Sequence, residues 1–297
     1  MGVPLSTISR KIAEIDNIPT VPALLVPLLR RLGEPAESVN VAEIVNLISY
    51  DKSLTAQCLH MANSPLLGMR RRVESVQTAV MALGMSKVRE VATTCCLLRA
   101  LPARPGSMDP ANLWKHSLAC ALASREFARR VGYADPEQAY LAGLLHDLGL
   151  IVELTTFPKE FEQVSRTAFE ERRPLHEIEP AVLGLDHCAI GEMLAERWHL
   201  PLELKEVIRR HHDVDRATVA RSLVAIVSLS DLLCRMRGLG YGFDELRQVD
   251  LLSEPAWNYI AAELPKVQAF DLERFTLELD AYMEEIERLV TTLFSMA

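Results

Sequence analysis

The chain predicts an all-α, multi-helix bundle, and three observations carry that expectation. Apolar residues recur at spacings of three, four and seven through nearly every segment, the period of a helix face. Nowhere does the apolar/polar alternation of a half-buried strand persist for six residues. Short Gly, Pro, Asn and Asp clusters punctuate the helical pattern, as at Asn17-Ile18-Pro19, Leu32-Gly33-Glu34-Pro35, Asn63-Ser64-Pro65 and Leu83-Gly84.

Taken in order, the segment before residue 101 reads as about five helices, DKSLTAQCLHMANS and SVQTAVMALGMSKVREVATTCCLL among them. LPARPGSMDPAN (101–112) is the stretch richest in helix breakers and marks a subdomain boundary. The next helix, NLWKHSLACALASREFARRV, has Asn112 as its expected N-cap. A second break, RGLGYGFDE (237–245), reads as a flexible turn because of its three glycines. The expected organisation is an N-terminal helical subdomain over 1–107, a metal-binding helical core over 108–236 and a C-terminal helical extension over 237–297. In that extension Leu272, Phe275, Leu279, Tyr282, Met283, Ile286, Leu289, Val290 and Leu293 form one apolar stripe. The stripe either completes the chain's own core or supports a homodimer or a partner contact.

Composition narrows the function classes. With 49% hydrophobic and 24% charged residues, the chain has material for an ample core. No segment approaches the roughly 18 unbroken apolar residues of a membrane span, and MGVPLSTISRKIAEI has no apolar signal region. The expected compartment is the cytoplasm. The six cysteines (Cys58, Cys95, Cys96, Cys120, Cys188 and Cys234) form no CxxC pair and read as small core hydrophobes. A net charge of −8 opposes a nucleic-acid-binding role, including a helix-turn-helix reading of SVQTAVMALGMSKVREVA. The basic clusters Arg70-Arg71-Arg72, Arg129-Arg130 and Arg209-Arg210 read as solvated helix ends or loops.

Seven ionisable residues fall on the apolar faces of helices in the central segment: His116, His146, Asp147, His187, His211, His212 and Asp231. His116 shares a face with Leu113, Ala119, Cys120, Ala123 and Phe127, and Asp231 lies below Val224, Val227 and Ser228. Burying such groups costs several kcal/mol each unless they find partners. One or two divalent transition-metal ions would satisfy them together. Imidazole and carboxylate donors with no thiolate favour Fe or Mn over a structural zinc. Asp147, next to His146, is placed to bridge two ions and is the residue on which any hydrolysis would centre.

The motifs also resemble a known family. AYLAGLLHDLGL, with His116 upstream and His211-His212 downstream, resembles the HD superfamily of metal-dependent phosphohydrolases. IPTVPALLVPLL, YDKSLTAQCLHMANSPLLG and VESVQTAVMALGMSKVREV are similar to the HDOD family, the HD-related output domains of bacterial signalling, over roughly residues 15–235. The resemblance implies an HD-type helical bundle. It makes His116 the first ligand, His146-Asp147 the doublet and Asp231 the closing aspartate, with His187 and His211-His212 where the related HD-GYP phosphodiesterases place extra ligands. Leu150 stands where those enzymes carry a lysine, and no Gly-Tyr-Pro loop follows His211-His212. The expected role is therefore a signalling or regulatory module that binds metal, acts on protein partners and lacks phosphodiesterase activity. The alternative is a metal-dependent phosphohydrolase acting on a nucleotide or cyclic dinucleotide.

Overall fold

Helical periodicity dominates the structure as it does the sequence. The computed structural model describes residues 3–14, 45–46, 48–49, 51–69, 71–98, 110–241 and 250–295, and among these no strand occurs. IPTVPALLVPLL and the expected boundary near residue 107 lie outside the described residues.

In the N-terminal part, α1 (Leu5–Glu14) precedes α2 (Lys52–Ala62), α3 (Val76–Leu83) and α4 (Met85–Leu98). Asp51 caps α2 by accepting hydrogen bonds from the amides of Ser53 (2.9 Å) and Leu54 (3.0 Å). Asn63 ends α2, and its side-chain amide donates to the Leu59 and Val73 carbonyls while its oxygen accepts from the Val73 amide. The Ala62-Asn63-Ser64 motif is thus a strap that closes the loop after α2.

The central part contains α5 (Pro110–Val131), α6 (Pro136–Leu145), α7 (Leu148–Thr156), α8 (Pro158–Glu171), α9 (Leu175–Val182), α10 (His187–Arg197), α11 (Leu202–Arg210) and α12 (Arg221–Met236). Helices α5, α6 and α12 pack on one another, and α10 packs between α7 and α11. Helix α5 is already formed at Pro110, so Asn112 lies inside its first turn and is not the N-cap. A proline fits there because its fixed φ suits the first helical turn and its missing N–H has no partner to lose. The α11–α12 connection contains a 3₁₀ turn at Val214–Arg216 and a left-handed Ala220.

Two glycines bring the site's helices together. A Cβ on Gly149 would collide with the His187 carbonyl, and one on Gly191 would sit 3.0 Å from the Gly149 nitrogen and 2.7 Å from Ile208 Cγ2. Helices α7 and α10 therefore cross at backbone contact, which places the Asp147 end of one beside the His187 end of the other.

After the second break come α13 (Pro255–Glu263), which the periodicity reading did not separate out, and α14 (Leu272–Ser295). Phe275, Leu279, Ile286, Leu289, Val290 and Leu293 are buried, and α14 packs on α5. Phe275 meets Phe127 and Phe270 at ring separations of 5.7 and 5.2 Å. Those six residues of the α14 stripe are covered within the chain, while Leu272 and Tyr282 are half-buried. Among the described residues no single helix is long and apolar enough to cross a membrane.

Candidate metal centre

The seven residues converge from five places in the fold. His116 projects from α5, Asp231 from α12 and His187 from the first position of α10. His146 and Asp147 form the junction of α6 and α7, while His211 and His212 follow α11. Six of them are at most 3% exposed; His212 keeps 15% of its side chain accessible. Asp147 holds the N-cap position of α7 yet makes no side-chain capping bond, which leaves its carboxylate for the cluster.

Their donor atoms form two groups that share Asp147. In the inner group, His116 Nε2 lies 3.3 Å from His146 Nε2, 3.1 Å from Asp231 Oδ1 and 3.5 Å from Asp147 Oδ2. His146 Nε2 is 3.0 Å from the same Asp147 oxygen. In the outer group, Asp147 Oδ1 faces His187 Nε2 at 3.4 Å and His211 Nε2 at 3.6 Å, and those two nitrogens are 3.4 Å apart. His212 lies at the edge of the outer group, its ring 4.1 Å from that of His211 and 5.3 Å from that of His187.

Hydrogen bonding sets which nitrogens face inward. His116 Nδ1–H donates to the Leu239 carbonyl (2.5 Å), His146 Nδ1–H to Gly143 (2.7 Å) and His211 Nδ1–H to Val207 and Ile208 (3.1 Å each). His187 Nδ1–H donates to the Glu179 carboxylate at 2.8 Å, and the His187 backbone amide donates to it at 2.7 Å. With every Nδ1 occupied as a donor, each Nε2 is the atom that turns inward, able to offer a lone pair to an ion or, without one, a proton to Asp147 or Asp231. Two Nε2 atoms 3.3–3.4 Å apart need a proton or a metal ion between them. Donors bound to one ion at about 2.0–2.2 Å in tetrahedral array stand roughly 3.4 Å from each other, so both groups fit a metal.

Without an ion the imidazoles take up protons instead: burial opposes it, but Asp147 holds His146 and Glu179 holds His187 well above the usual histidine value, and Cys188 raises His211 to about 9. Burial opposes charge on Asp147, but His146, with hydrogen bonds from His187 and His211, holds it well below the ordinary carboxylate range. Burial likewise works against Asp231, yet Arg235, whose Nη2 donates to it at 2.8 Å, and then His116 keep it ionised. His212 is pushed well below the usual histidine value, first by burial and then by His211 and His176, so it stays neutral with a free lone pair.

Several site residues escaped sequence reasoning. Glu179 falls on one stripe with Leu175, Ile178 and Val182, the same signal that revealed the histidines. Behind it Glu153 is buried with no hydrogen-bond partner among the described residues; burial and then the Glu179 carboxylate push it well above its ordinary value. His176 stacks on His212 at 4.0 Å. Cys188 Sγ lies 3.8 Å from His211 Nε2, so the donor set adjoins a thiol, contrary to the expectation of nitrogen and oxygen alone. Leu239 and Tyr241, in the break expected to be merely flexible, both contact the cluster: the Tyr241 hydroxyl donates to Asp147 Oδ2. The rest of that break, residues 242–245, lies outside the described residues. The buried His/Asp/Cys cluster suggests a metal site.

Comparison with known proteins agrees with this architecture. The chain aligns with the crystal structure of an HDOD domain protein of unknown function from Geobacter sulfurreducens, at 31% identity and a TM-score of 0.80, over 98% of this chain and 99% of that one. A candidate phosphohydrolase from Shewanella amazonensis SB2B shares the fold at 21% identity and a TM-score of 0.72, over 95% of this chain and 97% of the other. An uncharacterised protein of Treponema pallidum (strain Nichols) is 27% identical over 223 residues, which is 74% of this chain and 43% of that protein. The chain thus spans less than half the length of that curated relative. Residues 18–214 match the HDOD domain model, and the chain belongs to the HDOD domain family.

Proposed function

We propose that this chain is a bacterial regulatory module with a binuclear metal centre that acts through protein partners, without cyclic-dinucleotide hydrolysis. The observation that carries the reading is Asp147, whose two oxygens face two separate sets of inward-pointing imidazoles. His116, His146 and Asp231 would hold one ion with Asp147 Oδ2. His187 and His211, with His212 at the margin, would hold the other with Asp147 Oδ1. Bound metal would supply positive charge and Lewis acidity; the chain's own residues fix the tautomers and exclude water from the inner half. The missing hydrolytic function is argued from Leu150, an apolar and fully buried residue where HD-GYP enzymes carry a lysine. A cation there would offset charge developing on phosphate.

One observation favours the phosphohydrolase reading. A cavity of about 440 Å³ opens onto His211 and His212 and is lined by Arg172, Arg173, His176 and Arg235. That space suits a small phosphate ester. Arg173 and Arg235 are already engaged by Glu177 and Asp231, which reduces the charge left for an anion.

Elemental analysis of protein purified without an affinity metal column, paired with a cyclic-dinucleotide hydrolysis assay, tests the proposal. One to two equivalents of transition metal with no turnover is the expected result. Turnover at ordinary enzyme rates that Asp147→Ala abolishes would promote the phosphohydrolase. Well under one equivalent of any metal would remove the centre from the account.

A further inference from the structure

The segment after α12 does more than connect. Helix α12 ends in a tight reversal: Gly238 takes φ +77°, its amide donates to the Arg235 carbonyl, and the Leu239 amide donates to Cys234. The chain therefore returns over the centre instead of leaving it. The Leu239 carbonyl accepts from His116 Nδ1. Two residues on, the Tyr241 ring packs 4.9 Å from the His116 ring and its hydroxyl reaches Asp147 Oδ2. That oxygen belongs to the inner half, 3.0 Å from His146 Nε2 and 3.5 Å from His116 Nε2. A phenol oxygen is thereby delivered to Asp147 Oδ2, one of the donors of the inner half.

We infer that Tyr241 is a protein ligand of the inner metal ion, bound through its phenolate oxygen. The inference rests on the binuclear reading above. On ligation the phenol O–H bond breaks, the proton passes to solvent, and the oxygen lone pair forms the metal–oxygen bond with no change of oxidation state. A tyrosine in that position takes the place of a water molecule. Since a metal-bound water is the nucleophile of metal-assisted hydrolysis, Tyr241 would keep the inner half closed to that chemistry. The outer half, beside the cavity at His211 and His212, would stay reachable. Nothing in the seven-residue ligand set contains this oxygen, because Tyr241 lies in a glycine-rich turn with no helical periodicity.

Iron gives the test a direct signature, because ferric tyrosinate absorbs visible light by charge transfer whereas histidine and carboxylate ligands alone do not. The full chain is loaded with ferrous iron, oxidised with ferricyanide, and read by iron content, visible absorption and resonance Raman. The expected result is a visible band with enhanced tyrosinate ring modes, lost in Tyr241→Phe at unchanged iron content. Resonance Raman on the unaltered chain carries the assignment by itself should the variant lose iron or fold poorly. An iron-loaded chain without tyrosinate modes overturns the inference and leaves the metal centre standing. A band that persists in Tyr241→Phe assigns the colour to another group, such as the Cys188 thiolate, and also overturns it. A chain that takes up no iron overturns this inference, and one that elemental analysis finds free of every transition metal sinks the metal centre with it.

Discussion

Two buried clusters of charge lie in the same helical core and are built in opposite ways. The first joins α4 to α5 and α6: Lys87 pairs with Glu90 (2.9 Å) and Glu137, and Arg125 reaches Glu90 at 3.5 Å. Arg129 adds a contact to Glu137, and Lys87 and Arg125 both approach the Tyr140 ring. There the ionised Glu137 already has its cations, and burial keeps Glu90 protonated beside them. The second cluster, around Asp147, has two carboxylates and four imidazole Nε2 atoms turned inward on one another, with Arg235 bonded to Asp231. Each holds a nearly buried carboxyl group, Glu90 in the first and Asp147 in the second. The direction of the hydrogen-bond donors separates a finished ionic network from one that needs an ion.

The largest effect should come from removing what completes the second cluster. A ligand that binds only the folded state adds about 4 kcal/mol when present at roughly 1,000 times its dissociation constant. Chelation should lower the Tm of the unaltered chain accordingly. Asp147→Ala, which takes an oxygen from both halves, should start low and no longer respond to chelator. Equal chelator responses in the two proteins would refute the shared role of Asp147.

Lys87→Met probes the finished network. It removes the closest cation from Glu90 and Glu137 but leaves Arg125 and Arg129 in place, so a loss of about 1–3 kcal/mol is expected by urea unfolding. Chelator should act on this variant as on the parent. Combined with Asp147→Ala, the two losses should add within about 0.5 kcal/mol, since the clusters share no partner. Strong non-additivity would mean that the clusters are coupled.

The pH response separates them further. Burial, then the neighbouring Glu137 carboxyl, raise Glu90 from 4.5 to about 8, while Glu137 is lowered to about 2; burial opposes its charge, but hydrogen bonds from Glu90 and Lys87 prevail. Between 4.5 and about 8 the folded chain holds a proton on Glu90 that the unfolded chain has released. The Glu90 contribution is therefore complete below 4.5 and is lost as pH rises through about 8. The slope is at most about 1.4 kcal/mol per pH unit. Glu137 acts the other way, contributing above 4.5 and losing its effect as pH falls towards 2. In metal-loaded protein, Glu90→Gln should flatten the decline in Tm with rising pH that the parent shows. Parallel curves for parent and variant would mean that Glu90 is ionised in the fold.

Most of the helical architecture, and His116, His187 and Asp231 within it, were legible from one signal, the period of 3.6; His146-Asp147 and His211-His212 lie in turns at helix ends, not on helix faces, and were carried by the family resemblance. A charged residue on an apolar stripe stands out against it, as His116 and Asp231 do. Glu179 carried that signal too, but it supports His187 and lies outside the histidine-aspartate pattern. The close crossing at Gly149 and Gly191 depends on two helices meeting in space, which no single stripe reports. Helix α13 is short, and its apolar contacts, such as Trp257 against Phe127, bridge residues far apart in sequence. Tyr241 was invisible for a different reason. A glycine-rich turn looks the same in sequence whether it hangs in solvent or folds back on a site.

That last distinction can be tested at Gly238, where the smallest effect is expected. A Cβ there would meet nothing within 4 Å, so space does not require glycine. The backbone does, because φ is +77° and a side chain in the left-handed region costs about 1 kcal/mol. Gly238→Ala should therefore lose about 1 kcal/mol in urea unfolding. If the turn serves only to link α12 to α13, the loss should end there. If it holds Leu239 and Tyr241 on the inner half, the variant should also bind metal more weakly, because the His116 tautomer and the Asp147 contact both depend on that return. The Lys87 network, fed by none of these residues, should keep its pH slope. Weaker metal binding with an unchanged slope would tie the turn to the second cluster alone. Unchanged metal affinity would reduce it to a connector.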